Sequence, residues 1–259
     1  EATSNIHHHR FFSSIDGIIA PIENKTNSDE LFAELKPDIL ITFGGMIVSK
    51  KIKAFLRKYA PKAHYHLDSK KAYDTFFCLK DHIKSSPNEV FKALVPELKA
   101  KTSNYFTKWN KFHEKQLIKR KEYVKQIPFT DFWAFNAIIE AFPANEHLQF
   151  GNSSTIRYAN LFDLASSNIA FCNRGTSGID GSTSTAIGAS TIEPNPTTFV
   201  TGDLSFLYDS NALWNNYVPN NFKIIIINNS GGGIFRILPG EKEKEYYQTY
   251  FETIHGLNA

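Results

Sequence analysis

The sequence predicts an α/β protein in which parallel sheets are flanked by helices. Apolar runs of β-type residues alternate along the chain with segments of helical periodicity, which is typical of parallel sheets. Some of these runs stop abruptly at glycine and small oxygen-bearing residues, as strands do at the ligand-binding edge of an open sheet. The 259 residues are 42% hydrophobic and 21% charged, which suffices for one large or two ordinary α/β domains.

The first third of the chain predicts a βαβ unit. Its elements are a buried-type strand at 38–43, a helix at 48–59 and a second strand at 63–67. The glycine pair Gly44-Gly45 predicts a tight turn after the first strand. Nucleotide binding there is the weaker alternative, because the full glycine fingerprint is missing.

Three further elements lead into the second half of the chain. They are a strand at 75–79, a helix at 87–98 capped by Ser85 or Ser86, and a long amphipathic helix at 103–126 that ends before Pro128. The lysines of the long helix could form a basic face. We interpret that face as solvated, lying opposite the aromatic residues of the same helix.

From Asp131 onward the alternation of helices and strands resumes. Helices are predicted at 130–141, 153–163, 181–190, 205–215 and 241–254, and strands at 168–172, 197–201 and 222–227.

Composition restricts the classes of partner and the compartment. A net charge of +3 is too small to indicate nucleic-acid binding. Cys78 and Cys172 lie far apart without a pairing pattern, so we expect reduced thiols and a cytoplasmic protein. Residues 1–10 lack the apolar core of a signal peptide, and no stretch is long enough for a membrane span. The consecutive His7-His8-His9 are a poor metal site, since adjacent residues do not face one another.

Two strand ends together predict a metal-diphosphate site. Asp203 follows the run 198–200, and Asn229 and the glycines from Gly231 follow the run 224–227. If the two strands are parallel neighbours, they bring together a carboxylate, an amide carbonyl and a backbone carbonyl. Such hard oxygen ligands suit Mg²⁺, which takes its remaining ligands from phosphate and water.

Two arginines near predicted strand ends are candidate anion-binding residues. Arg174 follows the strand at 168–172, and an arginine binds a carboxylate or phosphate through two parallel hydrogen bonds. Its structural alternative is a pair with Asp180 that holds the loop. Arg157 lies one helical turn after Ser153, in a segment where Asn152 or Ser153 could cap a helix and leave N–H groups for an anion. An ordinary cap with an exposed arginine is the alternative.

Three segments, in this order, resemble one family. They are Asn173-Arg174-Gly175-Thr176-Ser177-Gly178-Ile179-Asp180-Gly181, Gly202-Asp203-Leu204-Ser205-Phe206-Leu207-Tyr208-Asp209 and Asn228-Asn229-Ser230-Gly231-Gly232-Gly233-Ile234-Phe235. They are similar to the SEPHCHC synthase family, thiamine-diphosphate enzymes of menaquinone biosynthesis. The resemblance extends upstream to Thr42-Phe43-Gly44-Gly45 and Ser49-Lys50-Lys51. The general thiamine-diphosphate motif has glycine where this chain has Leu204, which argues against other decarboxylases of that cofactor.

The resemblance implies roles for individual residues. Thiamine diphosphate is expected at Ser153, Gly202, Asp203, Leu204, Ser205, Asn229 and Gly231, with Mg²⁺ held by Asp203, Asn229 and Gly231. Ile179 is expected to be the aliphatic wedge that bends the cofactor. Acidic substrates are expected at Lys50, Lys51, Arg157, Arg174, Ile234 and Phe235. Core packing is the alternative for Ile179, Ile234 and Phe235, and plain solvent exposure for the two lysines.

The resemblance also implies a fold and a reaction. We expect two Rossmann-like domains of a thiamine-diphosphate-binding fold, a central domain at 1–100 that lacks its beginning and a diphosphate-binding domain at 101–259 that lacks its end. The family decarboxylates 2-oxoglutarate and adds the succinyl carbanion equivalent to isochorismate, as homodimers or homotetramers. The activating glutamate lies in a domain that we do not find here, so the chain alone is expected to be inactive. Another thiamine-diphosphate decarboxylase or carboligase, or a non-catalytic fragment, are the alternatives.

Overall fold

The computed structural model describes residues 15–238, 240 and 242–257 of the chain. The described part forms two compact units, which divide between Lys121 and Glu122. Each unit contains a parallel sheet flanked by helices, so the predicted α/β class is confirmed. The domain boundary at 100/101 stays a prediction. The polar segment 1–10, with its three histidines, lies outside the described residues.

The first unit is built on a three-stranded sheet in the order β1-β2-β3, with both pairs of neighbours parallel. The strands are β1 (Ile39–Phe43), β2 (Ala63–Leu67) and β3 (Leu79–Ile83). The helices are α1 (Asp16–Glu23), α2 (Ser28–Leu35), α3 (Lys50–Lys58), α4 (Pro87–Leu94) and α5 (Tyr105–Gln126), the last of which crosses the division between the units.

Helix α3 shows how the sequence builds this unit. The Ser49 hydroxyl accepts a 3.1 Å hydrogen bond from the backbone N–H of Ile52, so the helix starts with a satisfied donor. Its apolar face, Ile52, Phe55 and Leu56, is buried against the helices before β1. Burying each of these side chains contributes about 1.5–3 kcal/mol, which exceeds the intrinsic helix propensities involved. The sequence pattern did not reveal α1 and α2, which carry much of this core.

Two predicted elements of the first unit have different bounds. The strand predicted at 75–79 is wrong, because Asp74 Oδ1 accepts 2.9 Å hydrogen bonds from the N–H groups of Cys78 and Leu79. These bonds close a turn with Phe77 at φ 59°, and the strand begins only at Leu79. The helix predicted at 87–98 starts with Ser86 and Glu89 in a reciprocal capping box, but α4 ends at Leu94 and continues as the 3₁₀ turn Val95–Glu97.

The second unit is built on a four-stranded parallel sheet in the order β5-β4-β6-β7. The strands are β4 (His147–Phe150), β5 (Ile169–Cys172), β6 (Thr197–Gly202) and β7 (Phe222–Ile227). Gly202 at the end of β6 pairs with Ile227 at the end of β7, so the predicted parallel neighbours are confirmed. The sequence pattern missed β4, which lies inside the sheet between β5 and β6.

Helices cover the second sheet. They are α6 (Asp131–Ala141), α7 (Ser154–Ala159), α8 (Ser182–Ser190), α9 (Asp203–Tyr208), α10 (Gly233–Ile237) and α11 (Glu245–Tyr247). The 3₁₀ turn Ser210–Leu213 follows α9, and the π-helical turn Gln248–Glu252 follows α11.

Several helices of the second unit are shorter than the sequence predicts. The segment predicted at 205–215 breaks after Tyr208, because Asp209 turns its carboxylate onto the start of α8 and accepts 2.7 Å hydrogen bonds from the N–H and Oγ of Ser184. Helix α7 ends at Ala159, well before residue 163. The last helix is reduced to α11 and the π-helical turn, which Thr253 ends in a left-handed conformation.

The core of the second unit packs α6 and α7 against the sheet. Phe135, Leu148 and Val200 are at most 1% exposed and lie in one apolar cluster with Phe150 and Ile156. No helix of the described part of the chain is both long and apolar enough to cross a membrane.

The two cysteines are unpaired, as the sequence predicts, but both are only half-buried and do not lie fully in the core. Cys172 belongs to the second unit, and burial raises the pKa of its thiol to about 11. At neutral pH it is therefore protonated and unreactive.

Candidate functional site

A cleft opens in the second unit where β6 and β7 end, the edge at which open parallel sheets bind ligands. Its cavity volume is about 90 Å³, and it is partly open to solvent. Its lining includes ten residues predicted from the sequence as site residues: Ser153, Ile179, Gly202, Asp203, Leu204, Ser205, Asn229, Gly231, Ile234 and Phe235.

Asp203 provides the buried carboxylate of this cleft. It directly follows β6 as the first residue of α9 and is 3% exposed. Its Oδ1 accepts a 2.7 Å hydrogen bond from the N–H of Leu204, and its Oδ2 accepts a 2.9 Å bond from the N–H of Gly231. The second bond ties the end of β6 to the loop after β7. A buried carboxylate held in this way is fixed in orientation and available to a cation.

Asn229 lies across the cleft on the loop that follows β7. Its side-chain Nδ2 donates a 2.8 Å hydrogen bond to Oδ2 of Asp131, the first residue of α6. The amide nitrogen is thereby directed at Asp131, and the amide oxygen Oδ1 remains the group that can bind a cation.

The glycines after Asn229 allow close backbone approach. Gly231 has φ +144°, a conformation that side chains other than glycine rarely adopt, and a β-carbon there would lie 2.7 Å from the carbonyl oxygen of Glu252. A β-carbon at Gly233 would lie 2.7 Å from Nδ2 of Asn229. The Gly231 carbonyl accepts a 2.9 Å bond from the N–H of Gly233 and retains its second lone pair.

The oxygen atoms of Asp203, Asn229 and Gly231 match the ligands that a hard divalent cation prefers. The cleft presents the Asp203 carboxylate, the Asn229 amide oxygen and the Gly231 backbone carbonyl, all of them oxygen ligands. The N–H groups of Gly231, Gly232 and Gly233 already donate to Asp203 Oδ2, the Glu252 carbonyl and the Gly231 carbonyl, so these glycines offer the site a carbonyl oxygen and not anion donors. The residues present therefore fit Mg²⁺, which takes its remaining ligands from phosphate and water.

Ser153 occupies the N-cap position of α7, but its side chain accepts no hydrogen bond from the helix. The predicted capping by Asn152 or Ser153 is therefore wrong. The reason is backbone geometry, because Ser153 has φ 65° and ψ −126°, which differs from the extended conformation of a capping serine. Ser153 is one of the residues that line the cleft.

Ile179 and Ser205 are linked across the cleft. The Ser205 hydroxyl donates to the backbone carbonyl of Ile179. This bond fixes the loop before α8 relative to α9, so the Ile179 side chain is held in the cleft lining. Leu204 lies between Asp203 and Ser205 in the same lining, where the Leu204 backbone N–H serves the Asp203 carboxylate.

Arg174 and Arg157 lie beside the cleft but are not part of its lining. Arg174 Nη1 donates a 3.1 Å hydrogen bond to Asn152 Oδ1, and the alternative pair with Asp180 is not formed among the described residues. Arg157 Nη1 donates a 2.6 Å bond to the backbone carbonyl of Ser153. Burial, followed by the like charge of Arg174, lowers the pKa of Arg157, so the two guanidinium groups are close enough to repel.

Asn152 hydrogen-bonds to Arg174 and to the loop that carries it. It is 3% exposed, and its Nδ2 donates to the backbone carbonyls of Asn173 (3.2 Å) and Gly178 (3.0 Å). Within the described residues, Arg174 Nε is buried without a hydrogen-bond acceptor. A buried guanidinium donor without an acceptor, next to a second arginine, is a site that an anion would complete.

Lys50 and Lys51 belong to the first unit, where they begin α3. Lys51 forms an ion pair with Glu23 of that unit. Their predicted contribution to the site stays a prediction.

Sequence patterns missed Asp131 and His255, and treated Asn152 only as a cap. Asp131 orients Asn229, and His255 contacts Asp203 at 3.2 Å. Both partners are distant in sequence, 98 and 52 positions away, so a local motif could not reveal them.

Comparison with known proteins gives a consistent result, although no family model matches the chain. The whole chain is 57% identical to the 2-succinyl-5-enolpyruvyl-6-hydroxy-3-cyclohexene-1-carboxylate (SEPHCHC) synthase of Flavobacterium johnsoniae and covers 46% of that protein. It is 56% identical to the synthase of the same name from Christiangramia forsetii, of which it covers 45%. For Bacteroides fragilis the identity is 37%, over 90% of this chain and 41% of the relative.

The chain thus spans about half the length of the curated relatives that it matches. All of the relatives named here carry the same synthase name. In sequence this chain is a relative of the SEPHCHC synthases, and the resemblance predicted from its motifs is confirmed.

Proposed function

We propose that this chain provides the metal- and diphosphate-binding part of a SEPHCHC synthase. The complete enzyme would decarboxylate 2-oxoglutarate and add the succinyl carbanion equivalent to isochorismate, with thiamine diphosphate and Mg²⁺. The observation that carries the proposal is the position of Asp203, Asn229 and Gly231 in one cleft, with the Gly231 N–H bonded to the Asp203 carboxylate. The synthase relatives, all named for this reaction product, support it.

Mg²⁺ would be held by the Asp203 carboxylate, the Asn229 amide oxygen and the Gly231 carbonyl. The diphosphate would lie against Gly202, Leu204, Ser205 and Ser153, all of which line the cleft. When bound, thiamine diphosphate supplies the carbanion chemistry that no protein side chain can provide. The protein binds, orients and desolvates the reacting groups.

Ile179 would be the apolar wedge of the site. A bulky aliphatic side chain there limits the conformations open to a bound cofactor, and the Ser205 bond to its backbone keeps it in place. Ile234 and Phe235 line the same cleft, and Ile234 is 8% exposed. They would exclude water from the substrate, which strengthens electrostatic contacts inside.

Arg174 and Arg157 would bind substrate carboxylates. Two arginines in mutual repulsion, one with a buried Nε lacking an acceptor, gain most from an anionic partner. Both 2-oxoglutarate and isochorismate are dicarboxylates. Lys50 and Lys51 would add positive charge from the first unit, in accordance with the family resemblance.

The remaining proposals concern assembly and place of action. We propose a cytoplasmic enzyme that functions as a homodimer or homotetramer. A diphosphate-binding domain at 101–259 and a central domain at 1–100 remain our proposed division. The chain by itself is proposed to lack turnover and to bind the cofactor weakly.

The test is calorimetric titration of the chain with thiamine diphosphate, with and without Mg²⁺. Binding should require Mg²⁺ and should be lost in Asp203→Asn, which keeps the shape of the side chain but removes its charge. Asp38→Asn is the control, because Asp38 is an exposed carboxylate of the first unit that pairs with Lys62. Absence of Mg²⁺-dependent binding, or unchanged binding in Asp203→Asn, would contradict the proposal.

A further inference from the structure

His255 contacts the proposed metal-binding carboxylate from the C-terminal side of the cleft. Its Nε2 lies 3.2 Å from Asp203 Oδ2, and its side chain is 12% exposed. Neither the motifs nor the proposed function assigns a role to this residue. The inference below rests on the proposed function, because it concerns the cation that Asp203 would bind.

The other ring nitrogen determines the tautomer of His255. The backbone N–H of Leu257 donates a 3.2 Å hydrogen bond to Nδ1, so Nδ1 accepts and carries no proton. In the neutral ring the proton is then on Nε2, which donates to Asp203 Oδ2. A protonated Nε2 cannot ligate a metal, and Mg²⁺ prefers oxygen ligands. His255 is therefore placed to orient the carboxylate and not to bind the cation itself.

The hydrogen bonds to Asp203 leave one acceptor position open. Each carboxylate oxygen accepts about two hydrogen bonds or ligands. Oδ2 accepts from both Gly231 and His255, whereas Oδ1 accepts from Leu204 alone in the described structure. The open position on Oδ1 is the one through which Asp203 can ligate a cation.

Hydrogen bonds to the glycine loop, residues 230–233 after β7, fix the position of His255. The N–H of Gly232 donates a 2.5 Å hydrogen bond to the Glu252 carbonyl, and the N–H of His255 itself donates a 3.4 Å bond to Ser230. Asn228 Nδ2 donates a 3.3 Å bond to the Leu257 carbonyl. The segment 252–257 is thus attached to the loop after β7 on both sides of His255.

We propose that His255 is a positioning residue of the cation site. Through Nε2–H it fixes the rotation of the Asp203 carboxylate, so that Oδ1 faces the divalent cation. Outer partners of metal ligands act in this way, since they restrict the ligand before the metal binds.

The test compares His255→Ala with His255→Gln, which can still donate from its side-chain amide. The measurement is the dissociation constant of Mg²⁺ at saturating thiamine diphosphate, determined by calorimetry on the full chain. His255→Ala should weaken Mg²⁺ by about 10- to 100-fold. His255→Gln should restore most of this loss. His113→Ala, on α5 of the first unit, is the control and should bind as the wild type does.

A second measurement does not depend on the cofactor. The ¹⁵N shifts of the His255 ring should show a protonated Nε2 and an unprotonated Nδ1 in the neutral form. The opposite tautomer would overturn the inference, as would unchanged or tighter Mg²⁺ binding in His255→Ala. Failure of the proposed function has a different signature, because the wild-type chain would then bind no Mg²⁺ with thiamine diphosphate at all.

Discussion

The side-chain amide of Asn229 donates a 2.8 Å hydrogen bond to Asp131 Oδ2, across 98 positions of sequence. Asp131 begins α6, whose start is fixed by the Thr130 hydroxyl accepting a 3.3 Å bond from the N–H of Trp133. The orientation of Asn229, a proposed metal ligand, therefore depends on helix α6, which lies 98 positions earlier in the sequence. Asp131 is an outer partner of Asn229 as His255 is of Asp203, although Asp131 accepts its hydrogen bond and His255 donates.

Replacing Asp131 should weaken the cation site without removing a ligand. In Asp131→Ala the Asn229 amide loses its acceptor and can rotate, so that nitrogen and oxygen exchange places. We expect Mg²⁺-dependent thiamine-diphosphate binding to weaken about 10- to 100-fold, as for other outer partners of metal ligands. Calorimetry on Asp131→Ala and on Glu140→Ala, an exposed carboxylate of the same helix, would measure the effect. Equal affinities in both variants would show that Asn229 is held by other means.

Arg174 should bind a dicarboxylate through two parallel hydrogen bonds from its planar guanidinium group. We expect Arg174→Met to weaken 2-oxoglutarate binding by about 1.5–3 kcal/mol, the worth of hydrogen bonds to charged groups. Arg174→Lys should recover only part of this, because a lysine is a point charge without two parallel donors. Calorimetric titration of the cofactor-loaded protein with 2-oxoglutarate gives the measurement, and Arg57→Met in the first unit is the control. If Arg174→Met bound 2-oxoglutarate normally, the arginine would serve only its bond to Asn152.

The first unit should lose stability at mildly acidic pH. Thr42 Oγ1 lies 2.7 Å from His64 Nε2 and 2.8 Å from His66 Nδ1. Burial lowers the pKa of both histidines below the ordinary value of 6.5. The folded unit favours the neutral rings, and the unfolded chain takes up protons first as the pH falls below that value. The stabilising contribution is therefore present above pH 6.5 and is lost as the pH falls through the folded pKa.

Amide hydrogen exchange in β2 would measure this effect. The free energy of opening should fall by about 1.4 kcal/mol for each pH unit of separation between folded and unfolded pKa, per histidine. His66→Asn removes one titrating ring and should give a shallower decrease with pH. A pH-independent free energy of opening in the wild type would contradict the prediction.

The sequence patterns predicted strands β6 and β7, at whose ends the site lies, but not strand β4, which pairs with β6. Strand β6 (TTFVTG) and strand β7 (FKIIII) consist mainly of β-branched and aromatic residues, which favour strands, so pattern and structure agree. Strand β4 was missed because His147 and Gln149 give it a polar composition. Both side chains are buried, with Gln149 Nε2 3.2 Å from His147 Nε2 and His147 Nδ1 3.4 Å from Thr197 Oγ1. The first contact joins neighbours on the same face of the strand, and the second reaches across 50 positions to β6, which a local sequence window does not show.

The same distinction applies to the site. Asp203 and Asn229 could be predicted to lie close together because they end two apolar runs, and parallel neighbours bring their carboxyl ends to one edge. Asp131 and His255 follow no strand and belong to no short motif. Their proximity depends on how α6 and the segment 252–257 pack onto the glycine loop, which only the folded structure shows.

Gly231 should tolerate no side chain, whereas another glycine of the same unit should accept one. Gly231→Ala combines φ +144° with a β-carbon 2.7 Å from the Glu252 carbonyl oxygen, so the segment that carries His255 must move. Backbone strain alone costs about 1–3 kcal/mol at such a position. We expect lower stability in urea unfolding and weaker Mg²⁺-dependent cofactor binding. The matched control is Gly188→Ala inside α8, where a β-carbon meets nothing within 4 Å. That variant should be stabilised by about 0.5–1 kcal/mol, because alanine loses less backbone entropy than glycine in a helix. Equal stability of the two variants would mean that the contact between Gly231 and residue 252 does not constrain the folded loop.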